Sequence, residues 1–338
     1  MLALIDSIHS TATKRVQKMI EEFASDKDVK PDMVRNLQDA LNGSPTLVEQ
    51  VRLAVTSPVF VSTSLGPEKH MRMERLTLET DPHAGGSYNR GNCTLSLSPT
   101  SLVTSTRDLT FLLGHEVQHS FNKERLDEAN NNFVKKAIEI ANGKQRPHDY
   151  TELIRQTLET HRNDEALAQI AGWNALVSRE RQKNPDDCDN KTLTEKLTHM
   201  YKLSSDLSDG TNRILDFVTK EVGGKIQAKG GLEFEHDGTL KPTPTNIERE
   251  AKLYFDKPAS VRITEHKGLG REGKSDYRNA YGADLVRWVI KCINRSARTG
   301  LLYMLGRIST KYLKLAVQRV LAMILNKARP MSARQRSI

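Results

Sequence analysis

Apolar residues recur at helical spacing from the start of the chain. Ile8, Val16, Ile20 and Phe23 fall near one face of a first amphipathic helix. Pro31 and Asp32 open a second that carries Val34, Leu37 and Leu41. Gly43-Ser44-Pro45 ends it before a short third helix with Leu47, Val51 and Leu53. From Val59 the period shortens: residues 59–63 are β-like, 73–80 alternate, and 93–98 read as a strand after the turn-rich stretch 81–86. A small, mostly antiparallel sheet is expected here. The helical period then returns. Ser105 or Thr106 can cap a helix whose apolar positions are Leu109, Leu112, Leu113 and Val117, and further helices are expected over about 124–142, 150–180 and 190–221. Residues 222–246 interrupt this run with paired glycines and with a candidate hairpin at 232–240 that turns at Asp237-Gly238. A polar stretch, 264–274, precedes a helix over about 280–293.

The pattern predicts an α+β protein in three parts. These are an N-terminal helical segment (1–57), a mixed body (58–295) and a C-terminal helix and tail (296–338). Within the body the sheet and the helices that follow it fall in 58–180, and a helical and hairpin part in 181–295. There is no internal repeat and no low-complexity tract.

Composition changes this picture in two places. The hydrophobic fraction of 37% suits a chain that buries a substantial core, and the three cysteines (Cys93, Cys188, Cys292) are too scattered for a disulfide framework or a cysteine metal cluster. They suit a reducing compartment. No uncharged apolar run approaches the roughly 18 residues of a membrane span. The first residues lack the basic start and apolar run of a secretory signal, so synthesis in the cytoplasm is expected.

The second change concerns charge. The net charge is +9, but ten of the 51 basic residues lie in 295–338, which holds no Asp or Glu; the other 41 face 42 acidic ones. The excess is therefore a tail, which weakens a reading as a nucleic-acid-binding protein. Between 301 and 325 the tail is strongly apolar, with Arg307, Lys311, Lys314 and Gln318 forming one polar stripe. Such a helix either packs on the body with its stripe in water or meets an anionic membrane or a partner; residues 327–338 read as disordered.

The chemistry concentrates in His115-Glu116-Val117-Gln118-His119. On a helix, positions i and i+4 share a face, so both imidazoles can reach one ion at about 2.0–2.1 Å. Zinc is the default for nitrogen ligands without redox chemistry. A carboxylate at Glu116, beside the ion's open position, can take a proton from water and pass it to a leaving amine. The bland alternative is two histidines on an ordinary helix. The motif, however, sits in the apolar run 109–117, where unpartnered histidines would be costly.

A third ligand is needed. No histidine follows six residues after His119, which argues against the metzincin pattern, and Glu165 on a later helix is the choice. Ala168 and Gly172 share its face and let two helices approach closely. His161 could partner a ligand or substitute for one, Asp164 and more weakly Asp108 could orient a ligand histidine, His83 could border the cleft, and Trp173 reads as core.

The motif with the downstream Asp164-Glu165-Ala166-Leu167-Ala168 resembles the gluzincins, the thermolysin-like zinc peptidases. The strand 91–97 before the motif helix is similar to compact zincin domains of bacterial effectors and polymorphic toxins. The resemblance covers roughly 58–180. It implies a zincin-like fold and a zinc-dependent peptidase acting on a protein or peptide substrate. His115, His119 and Glu165 would be ligands and Glu116 the general base. It also implies an oxyanion-stabilising His or Tyr, for which Tyr277, Tyr281, His236 and His266 are candidates, and delivery into a target cell by a specialised secretion system. A cytosolic housekeeping peptidase, a peptidoglycan amidase and a non-enzymatic binding or membrane-active module with a structural metal are the rivals. A fourth protein ligand closing the site would favour the last.

Overall fold

The computed structural model describes residues 2–63, 66–81, 84–144, 148–185, 190–261 and 275–297. The basic tail, His83, His266 and Cys188 lie outside them. The protein is mixed α+β and mostly helical. Two compact units are present: 1–124 with 163–255, and 125–162 with 256–338.

The first unit begins with three helices, α1 (Leu2–Ala24), α2 (Pro31–Asn42) and α3 (Pro45–Thr56). Proline at the first turn of α2 and α3 suits a position with no N–H to satisfy. Ser44 caps α3 by accepting from the Leu47 N–H, and its hydroxyl donates to the Ala175 carbonyl at 2.7 Å. Their buried faces (Ala12, Met19 and Phe23; Met33 and Leu37; Leu47 and Val51) form one core with Leu76, Leu95, Leu97 and the apolar side chains of the motif helix. The change of texture near residue 57 is therefore a change of secondary structure within one core.

Over residues 58–97 two small sheets replace the single one expected. Strands β1 (Pro58–Thr63) and β2 (Gly66–Met71) form an antiparallel hairpin. Strands β3 (Arg75–Leu78), β4 (Gly86–Asn89) and β5 (Thr94–Leu97) form a sheet in the order β3-β5-β4. It is mixed: β3 runs parallel to β5, with Leu76 opposite Leu95, and edge strand β4 runs antiparallel, with Tyr88 opposite Leu95. Most pairings are antiparallel, as expected, and β3 with β5 is the parallel exception, because alternation marks a strand without giving its direction. A short helix, α4 (Ser101–Thr104), then leads into α5 (Thr106–Asn142), which fuses the motif helix and the helix expected at 124–142.

Helices α6 (Thr151–Lys183) and α7 (Leu193–Leu203) follow. The helix expected over 190–221 ends early. A 3-10 turn (Asn212–Asp216) and a hairpin of β6 (Val218–Lys220) and β7 (Ile226–Ala228) replace its second half, turning at Gly223 and Gly224 with φ of 109° and 90°. The hairpin expected at 232–240 reduces to one bridge, Phe234 to Leu240, around a turn in which Gly238 has φ 85°. Helix α8 (Pro244–Leu253) closes the unit. A second core, with Phe111, Trp173, Phe217 and Met200, lies on another side of α5 and α6. Trp173 stacks on Phe217 at 4.7 Å and donates to the Gly238 carbonyl, so it is a core residue as expected. Within the second unit, Trp288 of α9 (Tyr277–Ala297) meets Phe133 edge-on at 6.0 Å, and Asp256 receives Arg162 and Arg278.

Two features fix the motif helix. At its start, Ser105 accepts from the Asp108 N–H, and Arg107 is tied to Glu180 and Asp206 at 2.8 Å each. Further along, α5 and α6 touch backbone to backbone. A Cβ on Gly114 would lie 2.9 Å from that of Ala175, and a Cβ on Gly172 would lie 2.7 Å from the Phe111 carbonyl oxygen. Only glycine permits that approach.

Candidate metal centre

Helix α5 presents His115, Glu116 and His119 from consecutive turns, and α6 brings Asp164 and Glu165 to them. All are buried except His119, which is half-buried. The His115 and His119 Nε2 atoms lie 3.2 Å apart, with ring centroids at 4.8 Å and planes at 82°. Two nitrogens each about 2.05 Å from one tetrahedral ion stand about 3.3 Å apart, so the imidazoles are set as a zinc ion requires. Glu165 Oε2 is 3.6 Å from His115 Nε2, and Glu116 Oε1 is 4.0 Å from it. His115, Glu116 and His119 offer ligand atoms within 4.8 Å of one another.

Behind this group, Asp164 Oδ2 lies 2.9 Å from His119 Nδ1, and Asn122 Nδ2 donates to the other Asp164 oxygen at 2.7 Å. A proton held on Nδ1 by Asp164 leaves the Nε2 lone pair for the ion. Asn122, one turn after His119, was not anticipated, although its i+3 spacing made it findable.

Ionisable groups are concentrated here and perturb one another. Burial raises the Glu116 carboxyl to about 7; His119 and Arg213 pull it down, and Glu165 and Asp164 push it up. Burial works against a charged His119, but Asp164, Glu165 and Glu116 together lift it to about 10. Three buried carboxylates around two imidazoles therefore hold a proton that a divalent ion would replace.

Two further residues of this unit border the site, and nothing local in the sequence marks them. The Tyr254 ring, at the end of α8, lies 6.2 Å from that of His115 and is 7% exposed. Arg213, in the 3-10 turn, has its Nε on Asp108 at 2.9 Å and its guanidinium over the Phe111 ring at 5.3 Å. Burial opposes its charge, but Asp108, Tyr254 and Asp216 raise it above its ordinary value. Two consecutive glycines cover these groups. A Cβ on Gly85 would stand 3.6 Å from an Arg213 terminal nitrogen, and one on Gly86 3.3 Å from Glu116 Cγ.

Several candidates have other partners. Asp108 holds Arg213 and accepts from Thr211 Oγ1 at 2.7 Å instead of orienting a ligand histidine. His161 stacks on Tyr281 at 4.6 Å, and Tyr281 on Tyr277, all within the second unit. His236 is exposed, its carbonyl taken by Lys196. No protein-family model, curated protein or solved structure matches the chain. Among the described residues, no helix is long and apolar enough to cross a membrane.

Proposed function

We propose that the protein is a zinc-dependent peptidase of gluzincin-like type, with His115, His119 and Glu165 holding the ion and Glu116 as general base. The observation that carries this reading is the 3.2 Å separation of the two Nε2 atoms beside a buried glutamate. Zinc held there supplies a Lewis acid that polarises the scissile carbonyl and acidifies water. Glu116 takes the proton from the attacking water as its oxygen adds to the carbonyl carbon. It then gives that proton to the amine nitrogen as the C–N bond breaks. Burial raises the proton affinity of this carboxyl, and a bound cation would lower it again. The Tyr254 ring, 6.2 Å from that of His115, carries the candidate donor to the developing oxyanion. The likeness of 58–180 to effector and toxin zincins supports a role inside a target cell.

A second reading has one observation in its favour. Glu116 groups with both imidazoles and could close the site as a fourth ligand of a structural ion. Glu116→Gln separates the two. Near-full zinc content with peptide hydrolysis down roughly 10²-fold or more is expected for a general base. Zinc loss would instead make Glu116 a ligand. Glu165→Ala should lose zinc; if it does not, the third ligand is misassigned.

A further inference from the structure

Arg213 stands beside the proposed catalytic carboxylate yet has no part in the proton transfer. Its surroundings show what it is kept for. The Asp108 carboxylate takes the Nε corner of the guanidinium at 2.9 Å and is itself held by the Thr211 hydroxyl at 2.7 Å. The flat face of the group rests on Phe111, 5.3 Å from the ring centroid, and Phe111 is fully buried. One corner and one face are thus fixed, and among the described residues no hydrogen bond takes either terminal nitrogen. The side chain is 23% exposed. The surface it reaches is the rim of the metal centre. A Cβ on Gly85 would stand 3.6 Å from an Arg213 terminal nitrogen, and one on its neighbour Gly86 3.3 Å from Glu116 Cγ. At Gly86 a side chain would also press on the Ser96 carbonyl oxygen at 3.0 Å, so that wall is backbone only.

A planar fork anchored at Nε and open at its terminal nitrogens matches one ligand chemistry best, a carboxylate accepting two parallel hydrogen bonds. Because Asp108 already offsets one charge, a singly charged group suits it better than a phosphate. We propose that Arg213 is a carboxylate-recognition subsite of the substrate cleft, which selects peptides carrying an acidic side chain or a free C-terminal carboxylate near the scissile bond. The inference rests on the peptidase reading, because the subsite is defined by its place beside Glu116.

The test separates the two. Zinc-loaded Glu116→Gln protein is titrated by fluorescence anisotropy with dye-labelled peptide pools of equal length. One pair fixes an internal Glu or Gln and ends in an amide. The other pair fixes Gln and ends in a free acid or an amide. The acidic member of at least one pair should bind roughly tenfold tighter, the scale of a charge-assisted hydrogen-bond pair, and the pair that responds names the source of the carboxylate. Adding Arg213→Gln should bring the ratio to about 1 at unchanged zinc content. Arg213→Lys, which keeps the charge and the pairing with Asp108 but loses the fork, should reduce the ratio several-fold in a protein that folds. Equal binding of both members of both pairs, or a preference that survives both substitutions, overturns the proposal. Wild-type protein is incubated with the same pools in parallel. Cleavage without acidic preference sinks the subsite and leaves the peptidase reading standing. Acidic preference in binding without any cleavage does the reverse.

Discussion

Asp164 holds His119 by its Nδ1 at 2.9 Å while Asn122 holds Asp164 at 2.7 Å, so the ligand imidazole is fixed by a chain that starts and ends on α5. The aspartate sets both the direction of the Nε2 lone pair and the negative charge behind the ring. Asp164→Asn keeps the shape and removes the charge. Zinc affinity should fall about 10- to 100-fold, the usual effect of losing such a partner. Competition with a chelator of known affinity measures it, and unchanged affinity would mean that the imidazole is oriented by packing alone.

The close approach of α5 and α6 makes a prediction whose sign is informative. Alanine favours a helix interior over glycine by about 1 kcal/mol. At Gly172, however, the new methyl would meet the Phe111 carbonyl oxygen at 2.7 Å and the Phe111 ring at 2.9 Å. The overpacking cost of about 1–3 kcal/mol should win, lowering the denaturation midpoint. It should weaken zinc binding as well, because Glu165 rides on the displaced helix. Gly282→Ala is the counterpart. Its methyl would find only Leu158 Cδ1 at 4.0 Å, so this change should be neutral or stabilising. Denaturant titration of both variants checks the contrast.

Protonation of the site links metal to stability. Without metal, His119 is raised to about 10 and Glu116 to about 7. For both, the folded value lies above the unfolded one. Their contribution is fully present below the unfolded values and is lost as pH rises through the folded ones. The metal-free protein should therefore lose stability between about pH 5 and 10. The carboxylates of Glu180 and Asp209 are lowered, despite burial that raises them, by partners that include Arg107, so they act only on the acid side, below the ordinary carboxylate range. Zinc displaces the His119 proton, so its affinity should rise with pH over the same window. The melting temperature of the zinc form should hold where that of the metal-free form falls. Parallel pH slopes in the two forms would argue that the cluster does not bind the ion.

What the sequence made legible was local. Helical spacing marked α1 to α3 because their apolar residues face one core. The same rule placed His115 and His119 on one face, and the small residues Ala168 and Gly172 pointed to the approach of α6. Asp164 was foreseen from its place beside Glu165. What was missed depends on distance along the chain. Arg213 and Tyr254 reach the site from a 3-10 turn and a helix end about 100 and 140 residues after the motif, and no spacing rule connects them. The direction of β3 was illegible because parallel and antiparallel strands share one alternation. The long helix expected over 190–221 failed because Ile214, Phe217 and Val218 are apolar in order to fill the second core, a demand that a short 3-10 turn and strand meet equally well.

The oxyanion donor is the point at which those two missed residues must be told apart. The Tyr254 ring lies 6.2 Å from that of His115, and a phenol and a guanidinium can each donate to developing negative charge. Their surroundings assign them different work. Arg213 is anchored by Asp108 at Nε and carries a fixed charge that meets a ground-state carboxylate as well as a transition state, so its loss should appear mainly in KM for acidic peptides. The Tyr254 hydroxyl is neutral, and its hydrogen bond strengthens only as the carbonyl oxygen gains charge. Its loss should therefore appear in kcat. Tyr254→Phe keeps the ring against His115 and removes one oxygen. We expect zinc content and melting temperature to hold, KM to change by less than about threefold, and kcat to fall roughly 10²-fold or more, as for the loss of one oxyanion donor. Steady-state kinetics on one neutral and one acidic peptide decide it. If kcat survives Tyr254→Phe and collapses in Arg213→Gln on the neutral peptide, the guanidinium is the oxyanion donor, and Tyr254 is there to pack against the imidazole.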